Sequence, residues 1–262
     1  MPETVSAELA AHFHASAGWY REHWAPTLAR LTGPLLDALP LIQSRIVVDV
    51  GAGTGALASA LAALAPESTI VGVDLVEGMI RLATPPMHRT VMNAQALALA
   101  SDVADVAVSA FTLFFVPEPA VALTEIARVL RPGGTLGITT WGDEPDFPAM
   151  KIFEEELGAA GVGTVEPIRH DLLDTPEKVV AVLEAAGHGG VRVWAIRQPI
   201  PSDAETFLDM LTRFGGVRRL ATLEPPALQA CLARVRTRYA TLAPEEFTDP
   251  SEVVYATAHA LS

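Results

Sequence analysis

Apolar residues along this chain follow two periods, and the periods alternate. Short, β-branched runs read as buried strands: Ile46–Val50, Thr69–Asp74, 89–92, 105–111 and 135–141. Between them, residues 56–64 and 118–130 carry apolar positions at helical spacing. Ahead of the first strand, Ala10, Phe13, Ala17, Tyr20 and Trp24 form a stripe at intervals of three and four. Leu28, Leu31, Leu35, Leu36 and Leu39 continue an apolar face, punctuated by Pro26 and Pro34. Past Trp141 the pattern loosens. A helix is predicted from Asp143, Glu144 and Asp146 through Phe153 and Leu157, then a loop over 158–174 and a helix over 176–186 stopped by Gly187. A strand follows over 191–196, and Ser202-x-x-Glu205 reads as a capping box for the next helix. Pro225-Pro226 open another helix, with Leu228, Cys231, Leu232 and Val235 facing inward, and 253–259 supply a last strand. Strands alternating with helices predict an α/β fold with a parallel sheet covered on both faces. The chain reads as one domain: helices over 1–43, a core over 44–142, a looser stretch over 143–190, a helical insertion over 199–249 and the last strand within 250–262. The insertion is too long for a simple connection and is expected to cap the sheet's carboxyl edge.

The first strand runs into Asp49-Val50-Gly51-Ala52-Gly53-Thr54-Gly55 and then an Ala/Leu-rich helix. Glycines at alternate positions permit a tight turn and let a ligand approach the backbone, with the helix start directing free N–H groups at it. Gly51-x-Gly53-x-x-Ala56 fits a dinucleotide fingerprint. Asp49 argues against a pyrophosphate, because a fixed negative charge beneath the turn suits a cationic ligand. Asp74 ends the second strand 25 residues after Asp49. Beside the turn, that carboxylate is placed to accept both hydroxyls of a ribose.

Composition narrows the partners. The chain has 262 residues, 31 acidic against 18 basic, for a formal charge of −13. Nucleic-acid binding requires clustered Lys and Arg. The clusters here, Arg218-Arg219 and Arg234, Arg236 and Arg238, read as solvated helix faces, so a small-molecule substrate is expected rather than nucleic acid or a membrane surface. Cys231 is the single cysteine, which rules out an internal disulfide or a cysteine-based zinc cluster and reads as a buried small apolar residue. Asp143, Glu144 and Asp146 read as helix-start charges and not as a metal site. No apolar run approaches the length of a membrane span, and the first residues lack a basic leader, so a cytoplasmic protein is the expectation.

With Asp49 included, Asp-x-Gly-x-Gly-x-Gly resembles the first motif of class I S-adenosylmethionine-dependent methyltransferases. Asn93-Ala94-Gln95-Ala96-Leu97 resembles that family's Asp-Ala-Glu-Ala-Leu segment, and 127–136, Ala-Arg-Val-Leu-Arg-Pro-Gly-Gly-Thr-Leu, resembles its post-core motif. The resemblance covers about 44–142 and is to the small-molecule, ubiquinone/menaquinone-biosynthesis-like type. It implies a Rossmann-like, doubly wound, seven-stranded sheet with an antiparallel last strand and an N-terminal helical lid. It implies S-adenosylmethionine as cofactor, leaving S-adenosylhomocysteine as product, held by Tyr20, Asp49, Gly51, Gly53, Gly55, Asp74, Leu75, Met79, Asn93, Ala94 and Ala110. Trp19, Phe111, Phe114, Phe115 and Trp141 are expected around the acceptor, a small, largely apolar molecule methylated at oxygen, carbon or nitrogen. The sequence departs from the family where Phe114 and Phe115 replace a His-His pair and where Asn93 and Gln95 replace carboxylates. His14 and His170 are then the candidate bases. A same-fold cyclase or cofactor-binding protein is the alternative, with an NAD(P)-dependent oxidoreductase behind it. The chain is expected to act as a monomer or homodimer.

Overall fold

The structure is a computed structural model, and it describes residues 3–163 and 173–261. In chain order the elements are α1 (Glu3–His23), α2 (Ala25–Leu36), β1 (Ile46–Val50), α3 (Ala58–Leu64), β2 (Thr69–Asp74) and α4 (Glu77–Ile80). β3 (His88–Val91), β4 (Ala104–Ala110), α5 (Pro119–Val129) and β5 (Leu130–Trp141) complete the first half. α6 (Pro148–Ala159), α7 (Pro176–Ala185), β6 (His188–Arg197), α8 (Ala204–Met210), α9 (Val217–Leu220), α10 (Pro225–Tyr239) and β7 (Glu252–Ala260) follow. The described residues divide into two compact units, one of 3–142, 173–196 and 253–261, the other of 143–163 and 197–252.

The first unit contains one seven-stranded sheet in the order β3-β2-β1-β4-β5-β7-β6. β1 pairs in parallel with β2 and with β4, and β5 pairs antiparallel with β7. The chain leaves β1 toward β2 and β3, then returns to β4 on the other side. That reversal opens a crevice at the carboxyl ends of β1 and β4, where ligands bind in doubly wound sheets. β1 and β4 are almost wholly buried, which is why their sequences are mostly apolar, with Asp49, Asp105 and Ser109 as buried polar exceptions. Asp105 anchors the base of the sheet: one carboxylate oxygen accepts the N–H groups of Arg45 and Ile46 (2.6 and 2.8 Å), and the other meets Arg131 at 2.8 Å. Arg131-Pro132-Gly133-Gly134 ends α5 as expected but belongs to β5 as a bulge, since the β4–β5 register passes from Ala104↔Leu130 to Val106↔Thr135. At the far side, the Tyr255 hydroxyl donates to Leu31 O at 2.7 Å, fixing α2 to β7.

The second unit has its own core, in which Phe147, Phe153, Phe207, Tyr239 and Phe247 are buried together. The region read as an insertion over 199–249 therefore shares its core with residues 147–162. Two local expectations are corrected here. α6 starts at Pro148, not at Asp143, because a residue before proline is held extended and Phe147 has φ −135° and ψ 158°. Asp143 instead pairs with Arg197 at 3.0 Å. α8 is capped by Asp203, whose Oδ1 accepts the N–H groups of Glu205 and Thr206 at 3.0 and 2.9 Å, and not by Ser202. Of the arginines read as solvated helix faces, Arg218, Arg234 and Arg236 are exposed, and three also form ion pairs: Arg219 with Glu154 (2.5 Å), Arg234 with Glu156 (2.7 Å) and Arg238 with Glu155 and Glu156 (2.6 and 3.0 Å). The Glu154-Glu155-Glu156 run on α6 gave no signal of this, because its partners lie some 65 to 83 residues away. Cys231 is fully buried, as its pattern implied.

Candidate functional site

The glycine turn is held by the neighbouring strand: Gly51 and Ala52 both donate to Val73 O, at 2.8 and 3.0 Å. Gly51 lies at φ +78°, and a side chain there would collide with Thr112, whose hydroxyl donates back to Gly51 O at 3.2 Å. Gly53 lies at φ +53° with its α-carbon side open but for Met79 Cε at 3.6 Å. The two glycines thus do different work. Gly51 admits the end of β4 against the turn, while Gly53 leaves the turn's upper face bare.

Two carboxylates flank this turn. Asp74 Oδ2 accepts Gly53 N–H and Oδ1 accepts Val76 N–H, both at 2.8 Å. Burial raises the Asp74 carboxyl above its ordinary range, and the two backbone N–H groups partly offset this. Asp49 is buried to 1 % exposure, and its Oδ2 has no hydrogen-bond partner among the described residues. Burial first, and the charge of Asp74 second, push the Asp49 carboxyl up to about 7. A buried, unpartnered carboxylate oxygen beside a second carboxylate is unfavourable unless something positive approaches it.

Above the turn is a cavity of about 480 Å³. The structure brings Tyr20, Gly51, Gly53, Asp74, Leu75, Met79, Asn93, Ala94 and Ala110 to its wall, together with Phe111 and Phe115. Burial, and then the charge of Asp74, raise the Tyr20 phenol above its ordinary range. Phe13 on α1 packs edge-on against Tyr20 (ring centroids 6.0 Å) and against Phe115 (5.3 Å), so α1 and the turn after β4 meet over the cavity. Asp49 lies beneath the turn and not on the cavity wall. Gly55 is also absent from the wall; its φ of +76° and the approach of Ala83, 2.7 Å from where a β-carbon would stand, make it a packing glycine.

Several expected residues lie elsewhere. Trp19 stacks on His23 at 5.1 Å, and Phe114 is a buried neighbour of Phe115. Trp141 touches Phe111 at 4.6 Å and stacks with Trp24 at 6.4 Å, one layer behind the wall. His14 rests on Gly78 of α4, with a β-carbon there only 2.6 Å from its Nδ1, and does not line the cavity. That removes it as a base in this arrangement. His170 lies outside the described residues. The wall also includes Leu9, Thr112 and Glu118, which no motif marked, and Phe13, which the N-terminal stripe did expose to view.

Among the described residues, the cavity wall has Asp74, Glu118 and Tyr20 as its titratable groups and no Lys, Arg or His. A pyrophosphate would meet carboxylates without a counter-charge. A nucleoside carrying positive charge fits: Asp74 for a diol, Asp49 as an unsatisfied negative group, and the bare Gly53 for close approach.

Residues 48–138 match the family described as a methyltransferase domain. Among curated proteins, the chain is 39 % identical over 119 residues to the ubiquinone/menaquinone biosynthesis C-methyltransferase UbiE of Syntrophotalea carbinolica, covering 43 % of this chain and 50 % of that protein. It is 30 % identical over 212 residues to the malonyl-[acyl-carrier protein] O-methyltransferase of Geobacter sulfurreducens, covering 78 % of each. The match thus spans about half of the first relative and most of the second. Among solved structures, the fold is similar to that of phosphoethanolamine N-methyltransferase 2 of Haemonchus contortus in complex with S-adenosylhomocysteine. The TM-score is 0.55 at 18 % identity, over 89 % of this chain and 53 % of that one. With the glycine turn between two acidic strand ends, and a relative matched along most of both chains, the protein belongs to the class I S-adenosylmethionine-dependent methyltransferases.

Proposed function

We propose that this protein transfers a methyl group from S-adenosylmethionine to a small, largely apolar organic acceptor. The observation that carries the reading is the pair of carboxylates about the glycine turn, Asp74 on the wall of a cavity whose other side is aromatic and Asp49 buried beneath the turn. Asp74 would accept the ribose hydroxyls and Leu75 and Met79 would pack on the base. Gly53 would give the amino-acid portion room against the backbone, Gly51 would let Thr112 close against the turn, and Asp49 would supply the negative field beneath it. Tyr20, Phe13, Phe111 and Phe115 would shape the acceptor side.

The bound sulfonium supplies an activated methyl group. The chain's own task is alignment and exclusion of water, and a held near-attack geometry is worth roughly 10⁵–10⁸ M in effective concentration. The aromatic contact of Phe13 with Phe115 closes α1 over the cavity and keeps that geometry dry. Phe111 and Phe115 favour an apolar acceptor over a hydrated or anionic one, since carboxylates are the charged groups on the described wall. The test is calorimetric titration with S-adenosylmethionine, S-adenosylhomocysteine and NADH, followed by detection of S-adenosylhomocysteine release with a panel of apolar hydroxyl, amine and activated-carbon acceptors. Binding of the first two and not of NADH, with acceptor-dependent release, is the expected result. Preference for NADH would end this reading, and tight binding without release from any acceptor would favour a cofactor-holding relative.

A further inference from the structure

Asp74 and Glu118 are the carboxylates on the described cavity wall, and the sheet sets them on opposite sides of the glycine turn. Asp74 ends β2, on one side of β1. Glu118 follows β4, on the other side, and immediately precedes α5. If Asp74 holds the ribose, the cofactor accounts for the β2 side and leaves the β4 side to the acceptor. Glu118 lines the cavity there with Phe111, Phe115 and Val116. The fold gives it no other task. Glu118 is the N-cap residue of α5, yet its side chain makes no capping hydrogen bond. Aspartate, asparagine and serine are the residues that cap well from that position. Among the described residues, neither an ion pair nor a hydrogen bond engages its carboxylate. It is exposed, which puts this carboxylate at the rim of the cavity and in water.

Charge decides what such a rim can select. A carboxylate without a counter-charge repels an anion, leaves a neutral molecule indifferent and attracts a cation. Phe111 and Phe115 on the same side act in the same sense, because the face of an aromatic ring is negative. We infer that the acceptor is an amine with an apolar body and that Glu118 selects it by holding the ammonium at the cavity mouth. The ammonium and the methylated atom are then at opposite ends of the acceptor. The bound sulfonium is itself a cation, and a second cation beside it in the dry interior is repelled, whereas at the rim water and salt screen the pair. The apolar body lies between, against the rings. Glu118 binds in this role and takes no proton. The inference rests on the cofactor reading above and narrows the class of acceptor.

The test is calorimetric titration of the S-adenosylhomocysteine-loaded protein with three probes that share a phenyl body and differ in charge: phenethylamine, phenethyl alcohol and phenylacetate. With Asp74 engaged by the ribose, a charge preference belongs to the acceptor side. At low salt the wild type should bind the amine at least threefold more tightly than the alcohol, and the acid most weakly. An exposed pair gives an effect of this few-fold size, and high salt should shrink it. Glu118→Gln keeps the shape and removes the charge, so amine and alcohol should then agree within twofold. Its affinities for the alcohol and for S-adenosylhomocysteine should stay within twofold of the wild type. Glu118→Lys should reverse the order and favour the acid. A wild type without preference for the amine, a preference that survives in Glu118→Gln, an unreversed order in Glu118→Lys, or no binding of any probe at millimolar concentration overturns the inference. Circular dichroism on each variant checks that the fold is retained. Failure of the wild type to bind S-adenosylhomocysteine is a different outcome, because it removes the cofactor reading itself.

Discussion

Above pH 7, Asp49→Asn should make this protein more stable and less able to bind its cofactor, and the stability difference should depend on pH. The Asp49 carboxyl is pushed from an ordinary 3.8 up to about 7 by burial and by Asp74. The folded state therefore favours the neutral acid. Between pH 4 and 7 the native protein holds a proton that the unfolded chain has already lost, so stability falls as pH rises through that window. The penalty is absent below pH 4 and complete above pH 7. About three pH units at 1.36 kcal/mol each amount to about 4 kcal/mol at pH 8. At pH 5 about 1–2 kcal/mol of it is already in place, since the unfolded carboxyl is ionised there. Asparagine removes the charge and leaves an unpaired buried amide, at a cost of about 1–3 kcal/mol that does not vary with pH.

The diagnostic is therefore the slope. Urea unfolding of wild type and Asp49→Asn at pH 5, 6.5 and 8 should show the difference in stability growing in favour of the variant by about 2–3 kcal/mol across the range. Calorimetry at pH 8 should show S-adenosylmethionine binding at least tenfold more weakly to the variant. A stability difference that stays flat with pH would refute the claim that Asp49 is held against its charge. Unchanged affinity would refute the claim that this strain serves a cationic ligand. Both results as expected would mean that the fold carries a destabilising charge because the site needs it.

Other perturbations separate the remaining roles. Asp74→Ala should weaken S-adenosylhomocysteine binding at least tenfold in calorimetry while circular dichroism shows the fold retained; unchanged affinity would take Asp74 out of the site. Tyr20→Phe should slow turnover or loosen the cofactor, read from initial rates and titration, and an indifferent variant would return α1 to a purely packing role. Gly51→Ala should cost about 2–4 kcal/mol in urea unfolding, from a left-handed backbone and a collision with Thr112. A double-mutant cycle with Thr112→Gly, which removes the Cγ2, Oγ1 and Cβ atoms that a β-carbon at 51 would meet at 2.6 Å or less, should show part of that loss recovered, and no coupling would mean the collision is not its source. Gly53→Ala, with only Met79 near, should instead lose binding more than stability, and equal losses in both glycine variants would contradict their separate roles.

How far the sequence could be read follows from the range of the interactions. β1 and β2 were legible to the residue, Ile46–Val50 and Thr69–Asp74, because short β-branched, largely buried runs are cut off sharply by turn chemistry. Asp49, Gly51 and Asp74 were legible for the same reason: a strand end, a bend and the adjacent strand end are fixed by local geometry and right-handed crossover. The aromatic side of the cavity was legible only in part. Phe115 was marked by its place after β4, but its contact with Phe13 joins residues about a hundred positions apart, and helical spacing on α1 does not say which side chain reaches across. Trp19 and Phe13 stand six positions apart on that helix; Phe13 lies on the apolar stripe, whereas Trp19 lies off it and is expected near the acceptor only from the family resemblance. Helical rotation puts one on the cavity and the other against His23. His14 shows the same limit from the other direction: a titratable group in the right helix, displaced by one residue from the inward stripe, reaches Gly78 and no further. The second unit was harder again, because the Glu154–Glu156 run and its arginines each look solvated alone, and only folding supplies the partner. Asp203 displaced Ser202 as a cap by a single position for a chemical reason. Its carboxylate can take two backbone N–H groups at once, where a serine hydroxyl one residue earlier has the wrong reach. What was misread is thus what depends on facing, and what was read is what depends on order along the strand. The acceptor lies on the first side of that line, so it will be identified by the rings that close over the glycine turn and not by the turn itself.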